Sequence, residues 1–523
     1  AIAPLDEPVL RQGIDQLANA ENPQQRGLPP QAQYLFKHTL LQEAAYQSLL
    51  RQTRQHYHRH IAQVLKERFP DIGAAQPELL AHHYAAADLP ALAITHWHQA
   101  GLRAQARSAH VEAMAHLRRG LTAATALPET PTRLRQEVTL YLDLGISLMA
   151  TQGYASRDVE EAYLQARDRC QQTRDHSQLF TAMRGLWLVY LVRGEIATAV
   201  EQGRQLLHLA QHHTDATLLL EAQRALGSSL FFAGDLVQAA DHLAQGLRLY
   251  TTQQHAALTL RYGQDPGMAC LVYTAWVLWL RGYPDQALGH IQQAMELAQE
   301  CRHPFCLAFA GTFAVMLHWC RRDIPAVATH VEAGLELARQ QGFPLFVALG
   351  MVFQGSLHAM GVDGQAGLEQ IRQGITAYRA TGAALFQPYF LALLAEASRQ
   401  AGQLRDGLTV LTEALALMES MGEHLHEAEL YRLQGELQRQ LGQPPDVVET
   451  GLQHALSVAH DQQAKALELR TALCLSRLWY QQGKTRQAYS LLTETTQWFR
   501  EGFTTGDLQE SLGFLETLRQ AIS

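Results

Sequence analysis

Leu278-Trp279-Leu280-Arg281-Gly282-Tyr283-Pro284-Asp285-Gln286-Ala287-Leu288 decides how the whole chain is read. An apolar pattern with helical spacing stops at Gly282, and a fresh one starts at Pro284. Gly reaches the left-handed conformation that closes a helix, and Pro is favoured in the first turn of the next. The same punctuation recurs as Arg193-Gly194-Glu195, Ala233-Gly234-Asp235, Met360-Gly361-Val362, Ala401-Gly402-Gln403, Leu441-Gly442-Gln443 and Gln482-Gly483-Lys484. Arg321-Arg322-Asp323 stands in the same place without a glycine. From 194 onward the turns fall at intervals of 40, 48, 40, 39, 41, 40 and 41 residues, and Gly153 lies 41 before the first. A near-constant period of this length marks a stacked repeat.

Each unit reads as two helices. Before the turn, aromatic and aliphatic residues follow i, i+3, i+4 spacing, as in Leu186-Trp187…Tyr190-Leu191. After it comes an Ala-rich stripe, as in Ala287-Leu288…Ile291…Ala294-Met295…Leu297-Ala298. Neither helix buries its stripe alone, so stacked neighbours must supply the core. Composition agrees: of 523 residues 47% are hydrophobic and 18% charged, against roughly 25% charged in ordinary domains. Most helices are therefore expected to meet another helix on both faces.

This helix–turn–helix unit resembles a tetratricopeptide (TPR) repeat, lengthened from the usual ~34 residues. The expected fold is all-α: a TPR-like α-solenoid of about 40-residue helix pairs over 71–523. Leu508, Leu512, Leu515 and Leu518 mark a final helix that closes the stack, with Asp507 and Glu510 spaced as a capping box. One interval, 234 to 282, is about eight residues too long. The excess falls at Leu260-Arg-Tyr262-Gly-Gln264-Asp265-Pro266-Gly267, and solenoid insertions map to loops at one edge, often a functional one. Tyr262, Gln264 and Asp265 are therefore candidate partner contacts, a passive spacer being the alternative.

The front end has another texture. Residues 1–33 hold the turn-forming string Asn22-Pro23-Gln24-Gln25-Arg26-Gly27-Leu28-Pro29-Pro30, followed by Tyr34-Leu-Phe36-Lys-His38 and a His/Arg-rich helix from Arg51 to Phe69. That helix lacks aromatic interleaving and a second basic element, so a solvated or packing face is favoured over nucleic-acid binding. A net charge of −8 points the same way, because phosphate recognition needs a basic face. No apolar run approaches the ~20 residues that span a bilayer, and no signal peptide opens the chain. The chain begins without Met, which reads as the rear part of a longer protein. Six irregularly spaced cysteines make no disulfide framework and fit a cytoplasmic protein. Cys301-Arg-His303-Pro-Phe-Cys306 has no second ligand pair nearby, so no metal site is expected.

The string Tyr34-Leu-Phe36-Lys-His38…Leu41-Gln42-Glu43…Tyr46…Leu49-Leu50, with Arg54…His60-Ile-Ala62, resembles the end of the winged-helix part of STAND-class AAA-like ATPases. Gln76-Pro-Glu-Leu-Leu80-Ala-His-His83-Tyr84, Pro388-Tyr-Phe-Leu-Ala-Leu-Leu-Ala-Glu396-Ala and Trp498-Phe-Arg-Glu-Gly-Phe503 extend the likeness. It runs to the TPR region of bacterial proteins of the class III adenylate/guanylate cyclase and STAND ATPase kind. The resemblance implies a winged-helix remnant over 1–70, an upstream ATPase module using ATP/ADP and Mg, and a cyclase domain where one is present. It also implies that His38, in Phe36-Lys-His38…Gln42-Glu43, contacts the β-phosphate of bound ADP when that module is attached. The chain itself holds no cofactor motif. Gly483-Lys484-Thr485 has Leu478 where a P-loop needs glycine, and it is one of the repeat turns.

No nucleophile elbow, H-E-x-x-H or dinucleotide fingerprint appears, so no catalytic residues are assigned. The expected function is a non-catalytic scaffold and sensor that binds a protein or peptide on its concave face and regulates the attached ATPase. Trp187, Tyr190 and Trp276, with Trp279 and Trp319, are the groove candidates, although a Trp stripe at helical spacing is usually core. The alternative is the inducer-binding solenoid of a STAND-type transcription regulator, which a basic C-terminal helix–turn–helix would favour. The chain ends in a Leu-rich helix instead.

Overall fold

The computed structural model describes residues 23–26, 33–36, 43, 46–212, 215–251, 255–361 and 364–522. Two compact units emerge, residues 1–147 with 168–174, and 148–167 with 175–523. The boundary expected near residue 70 thus falls inside the first unit.

In the first unit, strands β1 (Pro23–Arg26) and β2 (Gln33–Phe36) pair antiparallel, Pro23 opposite Phe36. The Pro-rich string read as a turn therefore carries one strand of a hairpin. Helices Arg51–Arg68, Pro70–Ala75, Pro77–Ala86, Pro90–Ala106 and His110–Ala124 follow. Ala62, Leu80, Ala81, Tyr84, Ala93 and Trp97 bury a shared core. The basic helix Arg51–Arg68 is a packing face in part: His58 is buried, its Nδ1 2.8 Å from Nδ1 of His83 and its Nε2 2.8 Å from the Tyr46 hydroxyl.

The second unit is the repeat. Its pairs are His176–Val192 with Ile196–Gln211, Ala216–Phe232 with Leu236–Leu249, Pro266–Leu280 with Pro284–Cys301, and Pro304–Cys320 with Ile324–Gln341. Pro344–Ala359 with Gly364–Ala380, Gln387–Gln400 with Leu404–Met421, Glu427–Gln440 with Pro445–Asp461, and Lys465–Gln481 with Thr485–Gln497 continue it. Helix Gly506–Ile522 ends it, burying Leu508 and Leu518. Of the Ala-rich stripe, Ala287, Ile291, Ala294, Leu297 and Ala298 are buried, while Leu288 and Met295 are half-buried.

The turns at Gly153, Gly194, Gly234, Gly282, Gly402, Gly442 and Gly483 are left-handed, whereas Gly361, expected to do the same, is not. Gly282 has φ +85° and lies so near Trp498 that a Cβ would come within 2.6 Å of its ring. Arg322 takes the same conformation, φ +59°, without being glycine; the interactions of its side chain with Asp507 and Glu510 help hold it there. A second left-handed series marks the ends of the second helices, at Arg302, Gly342, Gly382, Gly422, Gln463 and Gly502.

These two series of turns dock on each other. The Val192 carbonyl accepts from the N–H groups of Ala384 and Leu385, at 2.9 and 3.0 Å, about five repeats away. Asp285 and Gln286 N–H groups donate to Glu501, and Gln462 Nε2 donates to the His424 carbonyl beside Gly234. Successive superhelical turns therefore touch, and the first helices of opposing repeats meet across the axis. Phe231, Tyr273, Trp276, Phe313, Phe386 and His426 fill that space with ring centroids 5.5 to 6.5 Å apart.

Candidate functional site: a guanidinium-lined groove

The tight superhelix settles where the expected partner contacts lie. Trp187 is fully buried, its indole N–H donating to Ser229 Oγ at 2.8 Å, and Trp276 is fully buried on the axis. Tyr190 is half-buried. Tyr262, Gln264 and Asp265 form the joint between a short extra helix, His255–Tyr262, and the next repeat. Asp265 caps helix Pro266–Leu280, accepting from the Met268 N–H at 2.7 Å and from the Tyr250 hydroxyl at 3.1 Å. Five of these six face the protein's own interior, because the inner face that an open solenoid would show is filled here. His38 lies outside the described residues. Among the described residues Cys301 and His303 gather no ligand set; Thr259 Oγ1 lies 3.4 Å from Cys301 Sγ, and Cys306 is buried.

The filling stops toward the C-terminal repeats. Helices Gln387–Gln400, Glu427–Gln440, Lys465–Gln481 and Gly506–Ile522 enclose a groove of about 500 Å³ with Trp279, Trp319 and Arg322 opposite. That size matches ligand sites in general. Its lining holds six arginines (322, 399, 432, 439, 470 and 477) and five carboxylates (Glu396, Glu429, Glu436, Asp507 and Glu510).

Helical geometry makes the first three ion pairs, since residues three apart share a face. Arg399 grips Glu396 with Nε and Nη2 at 2.8 and 2.7 Å. Arg432 grips Glu429 at 2.8 and 2.7 Å, and Arg439 grips Glu436 at 3.1 and 2.7 Å. Tertiary packing makes the rest. Arg470 donates to Asp507 Oδ2 at 2.7 Å, reaches Glu429 at 3.7 Å, and lies over the Trp279 ring at 5.2 Å. Its Nη2 also donates to the Cys320 carbonyl at 2.7 Å. Arg322 and Arg477 share Glu510, at 2.7 and 2.8 Å. Asp507 and Glu510, spaced as a capping box, are thus turned to the groove and hold arginines of other repeats.

Electrostatics keep Glu429, Glu436 and Glu510 ionised. Burial would raise the Glu429 carboxyl, but Arg432 and Arg470 hold it down to about 2. Burial is likewise outweighed at Glu436 by Arg439, and at Glu510 by Arg477 and Arg322. His426 sits at the groove's floor, 4% exposed and stacked on Tyr389 at 4.4 Å. Burial lowers its imidazole to about 3, so the ring is neutral, and neither ring nitrogen has a hydrogen-bond partner among the described residues. The groove was not singled out from sequence. Its signal was present as Glu-x-x-Arg at 396/399, 429/432 and 436/439, but such pairs are ordinary on solvated helices.

Fold and groove together define a helical-repeat solenoid with TPR-like helix pairs. No protein-family model matches the sequence. Among solved structures, a Rap protein complexed with competence and sporulation factor superposes at a TM-score of 0.54 with 12% identity, covering 71% of this chain and 98% of that one. A STAND protein with a tetratricopeptide repeat sensor, from Pyrococcus horikoshii, gives 0.34 with 11% identity, covering 77% and 66%. An uncharacterized protein of Rhizobium meliloti (strain 1021) is 24% identical over 258 residues. That stretch is 49% of this chain and only a quarter of the relative's length. At these identities the structural likeness establishes the shared fold and nothing finer.

Proposed function

We propose that this chain is the ligand-binding sensor segment of a larger signalling protein, a non-catalytic scaffold that takes a peptide or protein segment in its groove. The observation that carries this is the groove itself: an aqueous opening, lined by charged groups from successive repeats, in a solenoid whose interior is otherwise packed with aromatic rings. The Rap structure, similar in fold, contains a bound factor, which supports the reading. The attached machinery would be a STAND-type ATPase binding ATP or ADP with Mg, and a nucleotide cyclase where one is present. His38 would contact the ADP β-phosphate, and ligand in the groove would favour the open state of the ATPase by binding it more tightly than the closed one. Among the described residues no helix is long and apolar enough to cross a membrane.

Nucleotide retention in the full-length parent tests this. His38→Ala should speed ADP release roughly tenfold, the loss of about one phosphate hydrogen bond. Deleting the repeat segment should change ATP turnover. Turnover that is indifferent to the segment overturns the sensor reading.

A further inference from the structure

The groove's hydrogen-bonding inventory is unbalanced, and the imbalance names a ligand class. Nine of the ten carboxylate oxygens of its five acids accept from a guanidinium: Glu396 and Glu436 from Arg399 and Arg439, Glu429 from Arg432, Asp507 Oδ2 from Arg470, and Glu510 from Arg322 and Arg477. Asp507 Oδ1 lies 3.0 Å from Arg322 Nε without a hydrogen bond. The donors are not used up. Arg399 and Arg439 spend Nε and Nη2 on their glutamates, and their Nη1 groups have no partner among the described residues. Arg477 spends only Nη2, on Glu510. Guanidinium carries five N–H donors and no acceptor, so each unspent edge can take one more carboxylate oxygen. These three side chains are 26, 30 and 43% exposed; Arg322, at 49%, is committed to Asp507 and Glu510. Buried His426 independently points to an occupant, because leaving both ring nitrogens unmet costs about 1–3 kcal/mol each.

Their placement favours an extended chain over a small molecule. Arg399 and Arg439 stand three residues before the turn glycines Gly402 and Gly442, at one position of successive repeats, and Arg477 follows on the next first helix. Packed neighbouring helices lie about 8–10 Å apart, the reach of about three extended residues.

We infer that the groove binds an extended acidic peptide segment, its carboxylates taking the open guanidinium edges of Arg399, Arg439 and Arg477 while His426 hydrogen-bonds the segment at the floor. This rests on the sensor reading and gives its ligand a chemistry. Six arginines against five carboxylates leave the lining one positive charge in excess, a local balance that favours an acidic segment although the whole chain carries −8.

Calorimetry on the full chain decides it, using the acetylated, amidated heptapeptide Glu-Ala-Ala-Glu-Ala-Ala-Glu, its lysine counterpart, and glutarate. The acidic peptide should bind, and lose affinity as salt rises from about 0.05 to 0.5 M. Glutarate, too short to reach three repeats, should bind at least roughly tenfold more weakly, and the lysine peptide should not bind. Arg477→Gln, on the most exposed of the three, should weaken the acidic peptide roughly tenfold while lowering the thermal midpoint only slightly, because its ion pair with Glu510 is half-exposed, and Arg399→Gln should do the same. Binding of the lysine peptide as tight as that of the acidic one, glutarate as tight as the peptide, or unchanged affinity in both variants would each overturn the inference. A failed peptide with nucleotide retention still responding to the segment defeats this inference alone; loss of that response defeats the sensor reading.

Discussion

The same motif appears twice in this solenoid with opposite fates. Glu221-x-x-Arg224 and Glu429-x-x-Arg432 occupy one repeat position, 13 and 10 residues before the turn glycines Gly234 and Gly442. In each case a second arginine from a neighbouring repeat joins, Arg184 at 2.6 Å from Glu221 and Arg470 at 3.7 Å from Glu429. The front triad is sealed: its three side chains are 1 to 3% exposed. Arg184 donates to the Tyr262 carbonyl at 2.9 Å and lies over the Tyr262 ring at 5.0 Å, while Arg224 lies over Trp187 at 4.9 Å. The rear triad lines the groove. What differs is the residue that covers each, and the eight-residue insertion supplies the cover in front through Tyr262. A segment that looked like a functional edge thus closes a buried ion cluster. One ion-pair geometry can be a structural core or an accessible lining, and the neighbours decide which.

The comparison breaks most visibly at the two glutamates. Glu221→Gln strands two buried guanidiniums and should cost about 3–5 kcal/mol, the range for breaking a buried pair. Chemical denaturation would show it as a lower midpoint. Glu429→Gln should cost less, about 1–3 kcal/mol, since water in the groove solvates the arginines it leaves. It should also retain acidic-peptide binding. Equal losses at the two sites would mean that the sealed and open triads do not differ in environment.

A third glutamate sharpens the contrast through pH. Glu423 is 1% exposed and, among the described residues, its carboxyl meets only the Phe386 N–H, at 3.1 and 3.2 Å. Burial pushes it up to about 8, against 4.5 ordinarily, whereas Glu429 lies near 2. The signs are opposite. A raised folded value gives stability that is full below 4.5 and lost as pH rises toward 8; a depressed one gives stability present above 4.5 and lost as pH falls toward 2. Each group's slope is at most about 1.4 kcal/mol per pH unit. Glu423→Gln should therefore stabilise the protein at pH 9, by at most about 5 kcal/mol, and change little at pH 5. Thermal midpoints at the two pH values measure this, and a variant with an unaltered alkaline decline would remove Glu423 as its source.

The repeat was legible because Gly282 and its counterparts punctuate helices locally, and the Ala stripes repeat with them. The second glycine series, at 342, 382, 422 and 502, stands in the sequence too, but Arg302 and Gln463 replace glycine at two of its turns, so it marks the period less clearly. Trp187 and Trp276 illustrate the opposite limit. Helical spacing put them on an inner face, but spacing holds no information on how many repeats make a superhelical turn. Asp507 shows the same: three residues before Glu510 at a helix start, it reads as a capping box, yet Arg470 and Arg322 claim it from other repeats.

By itself, then, the sequence determined the class, the period and the helix pairs, since these follow from φ preferences and 3.6-residue periodicity over a few neighbours. Whether the inner face would be core or cleft was decided only by the tertiary structure. Contacts such as Val192 with Ala384, five repeats apart, wind the superhelix until aromatic rings meet across its axis. Around Glu429, among the described residues, none covers the ion cluster as Tyr262 covers the one at Glu221, and there the interior stays open.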